Sequence, residues 1–350
     1  MRKCSLPSVT FGIIVLNGEP FTLYNLRGIY PFAHQIIVVE GATPAASAVA
    51  TSDGHSTDGT LESLIRFKEE EDSENKVTIV TAEDEGHPNG FWPGEKDEMC
   101  RSYAKRATGD YLWHVDIDEF YKPEDIYRIL KILANSPSVT GVSFFWKNFW
   151  GSFDSLVDGW EYRELVKRIK GIRRVYKWGE GYTYVSHRPP TVLDATGQDL
   201  FSTKFITAEK TKQLGIFCYH YGMIFIEQAK LKASYYKKMW ASHKDMVNWY
   251  QYSFLNLDTP FRILHGTNPP SWLKKFDGTH PPQIKTLMKH MRECLITTKP
   301  RPTEDINKLL SSIWYRTAVI VLENTYPIYA LLNFVKARVF CFFQRWITLN

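Results

Sequence analysis

Four short apolar runs divide the first third of the chain: residues 9–16, 35–39, 77–80 and 111–115. Each is strand-length and rich in Val, Ile, Leu or aromatic residues, with no polar alternation, which is the pattern of a strand covered on both faces. Between the first two runs, residues 21–30 place Phe21, Leu23, Tyr24, Leu26 and Ile29 largely on one side of a helix. Residues 61–67 begin a second helix, capped by the turn formers of Asp53 to Thr60 and ending in the solvated run Glu69-Glu70-Glu71-Asp72. Residues 96–107 form a third. Strand, helix, strand in this order predicts right-handed crossovers and a mostly parallel sheet flanked by helices, an α/β fold.

The second half is less regular. Residues 123–134 read as an amphipathic helix, 139–150 as one strand, and 227–240 as a helix. From Pro260 onward Asn268-Pro269-Pro270 and His280-Pro281-Pro282 break the pattern into loops and helices. Residues 313–347 are strongly apolar, but Arg316, Glu323, Asn324, Pro327, Lys336, Arg338 and Arg345 interrupt them. No clean 18-residue span is expected there, only amphipathic helices packed on the domain, on a partner or at a bilayer surface. The expected units are a catalytic domain at 6–240, divided into 6–121 and 122–240, a loop-rich and helical region at 241–302, and an apolar helical extension at 303–350.

Composition narrows the class. With 350 residues, 44% of them hydrophobic and 15% aromatic, the chain can bury a large core, and disorder is excluded. A net charge of +5 does not call for nucleic acid. Five scattered cysteines contain no Cys-x-x-Cys pair, so neither a zinc site nor a disulfide framework is indicated. The start of the chain reads as a first strand and not as a secretion signal. A reducing, cytoplasmic setting follows, with peripheral membrane contact or oligomerisation through the C-terminal extension left open.

The candidate chemistry lies where the fourth run ends, at Asp116-Ile117-Asp118-Glu119. Residues two apart on a strand point to the same side, so both aspartates can reach one point at the strand's carboxyl end. Like charges brought together there invite a hard divalent cation, which can clamp a diphosphate. Apart from its position, an Asp-x-Asp pair is most simply a solvated turn.

Several ordered features resemble the family 2-like glycosyltransferases of GT-A type. The first run ends in Asn17-Gly18-Glu19, the second in Glu40, and Ser56-Thr57-Asp58-Gly59-Thr60 follows. Ala107-Thr108-Gly109-Asp110-Tyr111 then leads into the Asp-x-Asp strand. The resemblance covers roughly the first 120 residues. It departs from the family in the insertion of residues 41–55 between Glu40 and the Ser-Thr-Asp turn.

The resemblance implies a GT-A-like fold and transfer of a sugar from a nucleotide-sugar to a glycan, lipid-linked or protein acceptor, with inversion. It implies that Asn17, Glu19, Glu40, Asp58, Lys96 and Asp116 hold the donor. Asp116 and Asp118, with a late histidine, His220 or else His187, would hold Mn²⁺ or Mg²⁺. It also implies a carboxylate base in the second half: Glu180 is the candidate, with Asp158 and Asp194 as rivals. The basic cluster Arg168, Lys170, Arg173, Arg174 and Lys177 reads as a solvated face. Two other readings compete. One is a haloacid dehalogenase-type phosphatase with Asp116 as nucleophile, although Phe120 stands where that pattern has Thr or Val. The other is a non-catalytic nucleotide- or glycan-binding protein of the same fold.

Overall fold

The computed structural model describes residues 5–94, 96–239, 246–264 and 269–349. Its first half follows the apolar runs: β1 (Val9–Val15), α1 (Thr22–Ile29), β2 (Gln35–Glu40), α2 (Thr60–Glu70), β3 (Val77–Val80), α3 (Lys96–Ala104) and β4 (Tyr111–Asp116). Then come β5 (Glu119–Phe120), α4 (Pro123–Asn135), β6 (Gly141–Phe144), β7 (Trp146–Trp150), β8 (Ser155–Gly159), α5 (Trp160–Ile169) and β9 (Ile172–Lys177). They are followed by β10 (Thr183–His187), β11 (Pro190–Leu193), β12 (Phe205–Ile206), α6 (Ala208–Gln213), β13 (Cys218–Met223) and α7 (Ile226–Met239). The chain continues through α8 (Met246–Asn248), β14 (Ser271–Lys275), α9 (Pro282–Arg292), α10 (Glu304–Ser311) and α11 (Ile313–Leu349). Trp240, at the end of the helix expected over residues 227–240, lies outside the described residues.

The central sheet has the strand order β12-β6-β9-β4-β1-β2-β3, with β9 antiparallel to both its neighbours and the other pairings parallel. This is the mixed, mostly parallel sheet flanked by helices that the apolar runs predict. Alternate residues of each strand feed two separate cores. Phe11, Ile13, Ile36, Val38, Trp113 and Val115 pack on one face; Ile14, Ile37, Val39 and Leu112 pack on the other. That two-sided burial explains why these strands carry no polar alternation.

Register sets the functional edge. Val15 lies opposite Glu40 and Ile14 opposite Asp116, so the carboxyl ends of β1, β2 and β4 come together. At Asp116 to Glu119 the chain leaves this sheet for a second one, ordered β14-β8-β7-β13-β5.

Two expectations are corrected. Residues 139–150 are not one strand: β6 pairs with β9 and β12 in the central sheet, whereas β7 pairs with β13 and β8 in the second. The apolar stretch expected to form amphipathic helices is a single helix, α11, and Pro327 does not end it. Ile313 to Val335 is long and apolar enough to cross a membrane by length and composition, with mean hydropathy 1.3 and 6% of its apolar window buried. The interruptions are too widely spaced to break an 18-residue window, which the expectation of short amphipathic helices overlooked.

Candidate active site

The turn from Asp116 to Glu119 is held from below by α1. Asn25 Nδ2 lies 3.1 Å from the Ile117 carbonyl and 2.8 Å from that of Glu119, with the Asp116 carbonyl at 3.4 Å. A buried amide facing successive carbonyls fixes the turn's backbone, and with it the directions of the carboxylates.

Three carboxylates converge here, each with a cationic or imidazole neighbour. Arg174 Nη2 donates to Asp116 Oδ2 at 2.8 Å and to Glu119 Oε1 at 2.5 Å. Glu119 also accepts from Trp146 Nε1 at 2.7 Å. Lys232 Nζ, from α7, donates to Asp118 Oδ2 at 2.9 Å, and Gln228 Nε2 reaches the same oxygen at 3.4 Å. His220 Nε2 stands 3.5 Å from Asp118 Oδ1, and His114 Nε2 stands 3.3 Å from Asp116 Oδ1. Burial alone would raise both aspartates. Arg174 and His114 instead hold Asp116 well below the usual carboxylate range, and Lys232 and His220 do the same for Asp118.

Strand pairing explains why His220 meets Asp118, as the sequence suggested. β13 runs antiparallel to β5 with His220 opposite Glu119, and Tyr221 N donates to the Asp118 carbonyl at 2.9 Å. His220 Nδ1 is 2.5 Å from Asn148 Oδ1, and the ring stacks on Trp146. The other histidine candidate, His187, is a core residue behind the site. It packs edge-on against His114, its Nδ1 is 3.5 Å from Cys100 Sγ, and burial pushes it down to about 2. Below Asp116, His114 Nδ1 lies 2.8 Å from Tyr103 OH. The Tyr103 ring fills the space a side chain on Gly12 would need, since a Cβ there would meet it at 2.4 Å. Gly12 therefore lets the phenol reach His114.

A cation is implied by the resemblance. Among the described residues no group of three or more His, Cys, Asp or Glu side chains is arranged to hold one. Asp118 and His220 fit a looser arrangement. Nδ1 faces the acceptor Asn148 Oδ1, so a neutral ring would offer its Nε2 lone pair to an ion shared with Asp118 Oδ1, in place of the Nε2–H that faces Asp118 without one. Two ligands each about 2.1 Å from one ion lie roughly 3 to 3.5 Å apart. Among the described residues the three carboxylates are paired with two fixed cations, Arg174 and Lys232. The residues thus suit an ion completed by water and a ligand's phosphates rather than one in an all-protein cage.

Beside this cluster lies a cavity of about 400 Å³ lined by Asn17, Glu19, Asp58, Glu227, Gln228 and Lys299, among others. Gln228 joins cavity to cluster, since it also reaches Asp118. Asn17, Glu19 and Asp58 are therefore brought together as expected. Asn17 Oδ1 accepts from Thr57 N at 2.7 Å, and Asp58 Oδ2 accepts from Glu19 N at 2.9 Å. Burial raises the Glu19 carboxyl, and its Oε1 is buried without a hydrogen-bond partner.

Glu40 behaves differently from a ligand-facing group. Its fully buried carboxylate accepts from Ser56 N at 2.8 Å, Ser56 Oγ at 2.7 Å and His55 Nδ1 at 2.8 Å, so it pins the inserted loop to the end of β2. Lys96, at the start of α3, reaches toward the Tyr235 ring of α7 at 5.9 Å.

Glu180 is not brought to the site. It is exposed on the loop after β9, and the pairing of Lys177 with Tyr111 puts that loop at the opposite edge of the sheet from Asp116. Its rivals are also engaged elsewhere: Asp158 is paired with Arg163 and Lys274, and Asp194 organises its own turn through Thr196 and Gln198. Arg174, expected on a solvated face, is instead 4% exposed. It lies where the register between β6 and β9 shifts, so Ile172 packs into one core and Tyr176 into the other, and no period-2 count along β9 places its side chain. The sequence reading did not single out Lys232. Gln228 and Lys232, four apart on α7, share a helix face.

No protein-family model matches the sequence, and no curated protein matches it. Among solved structures the chain is weakly similar to glucosyl-3-phosphoglycerate synthase from Mycobacterium tuberculosis in complex with phosphoglyceric acid. The TM-score is 0.33 and the identity 14%, over 49% of this chain and 57% of that one. The same synthase in complex with Mn²⁺ and uridine-diphosphate-glucose overlaps with a TM-score of 0.33 at 15% identity, over 49% of this chain and 56% of that one. A mycobacterial protein overlaps at 0.36 and 15% identity, over 66% of this chain and 74% of its own. The chain thus spans a little over half the length of the synthase, and overlaps with TM-scores this low carry no weight for function.

Proposed function

We propose that the chain transfers a sugar from a nucleotide-sugar to an acceptor hydroxyl with the help of a divalent cation. The observation that carries this reading is the meeting of Asp116, Asp118 and His220 at the carboxyl edge of a mostly parallel sheet, beside a cavity that Gln228 links to Asp118. Ligands of open α/β sheets bind at that edge. The order of Asn17, Glu19, Asp58 and Asp116 along the chain, like that of GT-A glycosyltransferases, supports the same reading.

In this proposal Asn17, Glu19 and Asp58 face the nucleoside, while Asp118 and His220 hold the cation, Mn²⁺ or Mg²⁺. The cation would supply charge stabilisation for a departing diphosphate. Asp116, whose side chain is 31% exposed, is oriented by Arg174 toward the same space. Of the three carboxylates lining the cavity, Glu19 is assigned to the nucleoside and Asp58 is tied to Thr60 and Glu19, which leaves Glu227, paired with Lys230 at 3.6 Å, as the one offered to an acceptor proton.

The test is a thermal-shift panel of nucleoside diphosphates and nucleotide-sugars with and without Mn²⁺, followed by product analysis with any stabilising donor. One donor should stabilise the protein only with metal, and Asp118→Asn should abolish that shift, read from the variant's own ligand-free melting point. A shift that survives Asp118→Asn undiminished would remove the metal role, and the absence of a shift with every donor would remove the donor class.

A further inference from the structure

We propose that the outward face of α11 docks the protein on an anionic lipid surface, with the helix lying in the plane of the interface. One stripe of α11 is committed to the body of the protein. Tyr315 and Val319 are buried, Trp160 Nε1 donates to the Leu322 carbonyl at 2.8 Å, and Arg163 pairs with Glu323 at 2.9 Å. Tyr326 OH donates to Glu164 at 2.6 Å, and Tyr329 stacks on Trp160. The opposite stripe carries Trp314, Ile320, Val321, Ile328, Leu331 and Leu332, each more than half exposed. Apolar residues at this spacing on one exposed face form a continuous band, not the scattered single residues of an ordinary surface.

The polar anchors exclude a crossing orientation for the first part of the helix. Glu323 and Tyr326 are bonded to Arg163 and Glu164 of α5, so this part must lie along the body, and a bilayer can meet it only side-on. Charge selects the lipid. The exposed cations on α10 and the described part of α11 are Lys308 and Arg316, while Lys167 on α5 lies over the Tyr326 ring and is paired with Glu164 at 3.5 Å. The nearby acids Glu164 and Glu323 are already paired. In a symmetric pair of chains these cationic rims would face each other, whereas anionic headgroups complement them. Trp314 at one end of the band suits the headgroup level, and Lys336 and Arg338 follow the apolar run in sequence.

The proposal is tested by floating the full chain with vesicles of phosphatidylcholine, with and without roughly 30% phosphatidylglycerol. Wild type should float with the anionic vesicles, less so in high salt. Ile320→Asp/Ile328→Asp/Leu332→Asp should lower the bound fraction about tenfold with an unchanged urea midpoint. Lys308→Glu/Arg316→Glu, which leaves the apolar band intact, should erase the preference for anionic vesicles. The proposal is overturned if wild type stays unbound, if the triple aspartate variant floats as well as wild type, or if the charge-reversed variant keeps the preference. It is also overturned if light scattering shows a stable lipid-free dimer that the triple variant converts to monomer, because the face would then belong to a second copy.

Discussion

Replacing Arg174 by methionine removes the guanidinium from between two carboxylates while nearly keeping its volume. Arg174 is 4% exposed, and its Nη2 alone serves both Asp116 and Glu119. Breaking a buried pair by deleting one partner typically costs about 3–5 kcal/mol. Here Asp116 can be partly hydrated and Glu119 keeps Trp146, so the lower end applies, about 3 kcal/mol. The size of the loss depends on pH. In the wild type, Asp116 is depressed, so its contribution is present above the unfolded carboxyl pKa and is lost only as pH falls through the lower folded value. Without Arg174, burial favours the neutral acids, so the deficit should be largest near pH 8 and shrink toward pH 5. Urea unfolding at both pH values, without ligand, reads this directly. At a slope of about 3 kcal/mol per molar, the midpoint should fall by roughly 1 M at pH 8. Arg174→Met/Glu119→Gln should recover more than the two single changes predict by addition. A midpoint loss under about 0.3 M, or one equal at pH 5 and pH 8, would refute the idea that Arg174 neutralises the carboxylates.

Other outcomes follow from the same geometry. Glu180→Ala should leave transfer activity within about twofold of wild type, because its loop lies at the far edge; a hundredfold loss would return it to the mechanism. Glu40→Gln should destabilise by about 1–3 kcal/mol through the Ser56 and His55 contacts, with the donor thermal shift little changed at a constant margin above Kd. Asp125 is pushed up to about 6, first by burial and then by Glu124, so its carboxylate costs stability as pH rises from about 4 to 6. Asp125→Asn should therefore gain about 1–2 kcal/mol near pH 7.5 and nothing near pH 3.5, measured as urea midpoints.

Much of the scaffold was legible because two-sided burial leaves an unmistakable mark. β1, β2 and β4 appear in sequence as unbroken apolar runs, and each ends in the polar residue that the sheet then carries to one edge. The late histidine that the resemblance implied, His220, does lie beside Asp118. What could not be read was direction and partnership. Glu180 and Arg174 are six residues apart on either side of the same strand end, yet β9 runs antiparallel to β4, so one reaches Asp116 and the other is carried away. Nothing local encodes that reversal. The break between β6 and β7 escaped for a similar reason: their aromatic pattern is continuous, and only the choice of pairing partner separates them.

Lys232 makes the proposed cation site a competition. Its ammonium is bonded to Asp118 Oδ2, on the same carboxylate whose Oδ1 faces His220, and it comes from the helix that walls the neighbouring cavity. If that pairing contributes about 1 kcal/mol and must be given up, it divides the apparent affinity for an ion on that carboxylate by about six. A phosphate-bearing ligand could lift the handicap by taking the displaced ammonium as its own counter-charge. Ion and ligand would then bind with positive cooperativity, each weak alone, so a titration with metal by itself would understate how tightly the loaded site holds it.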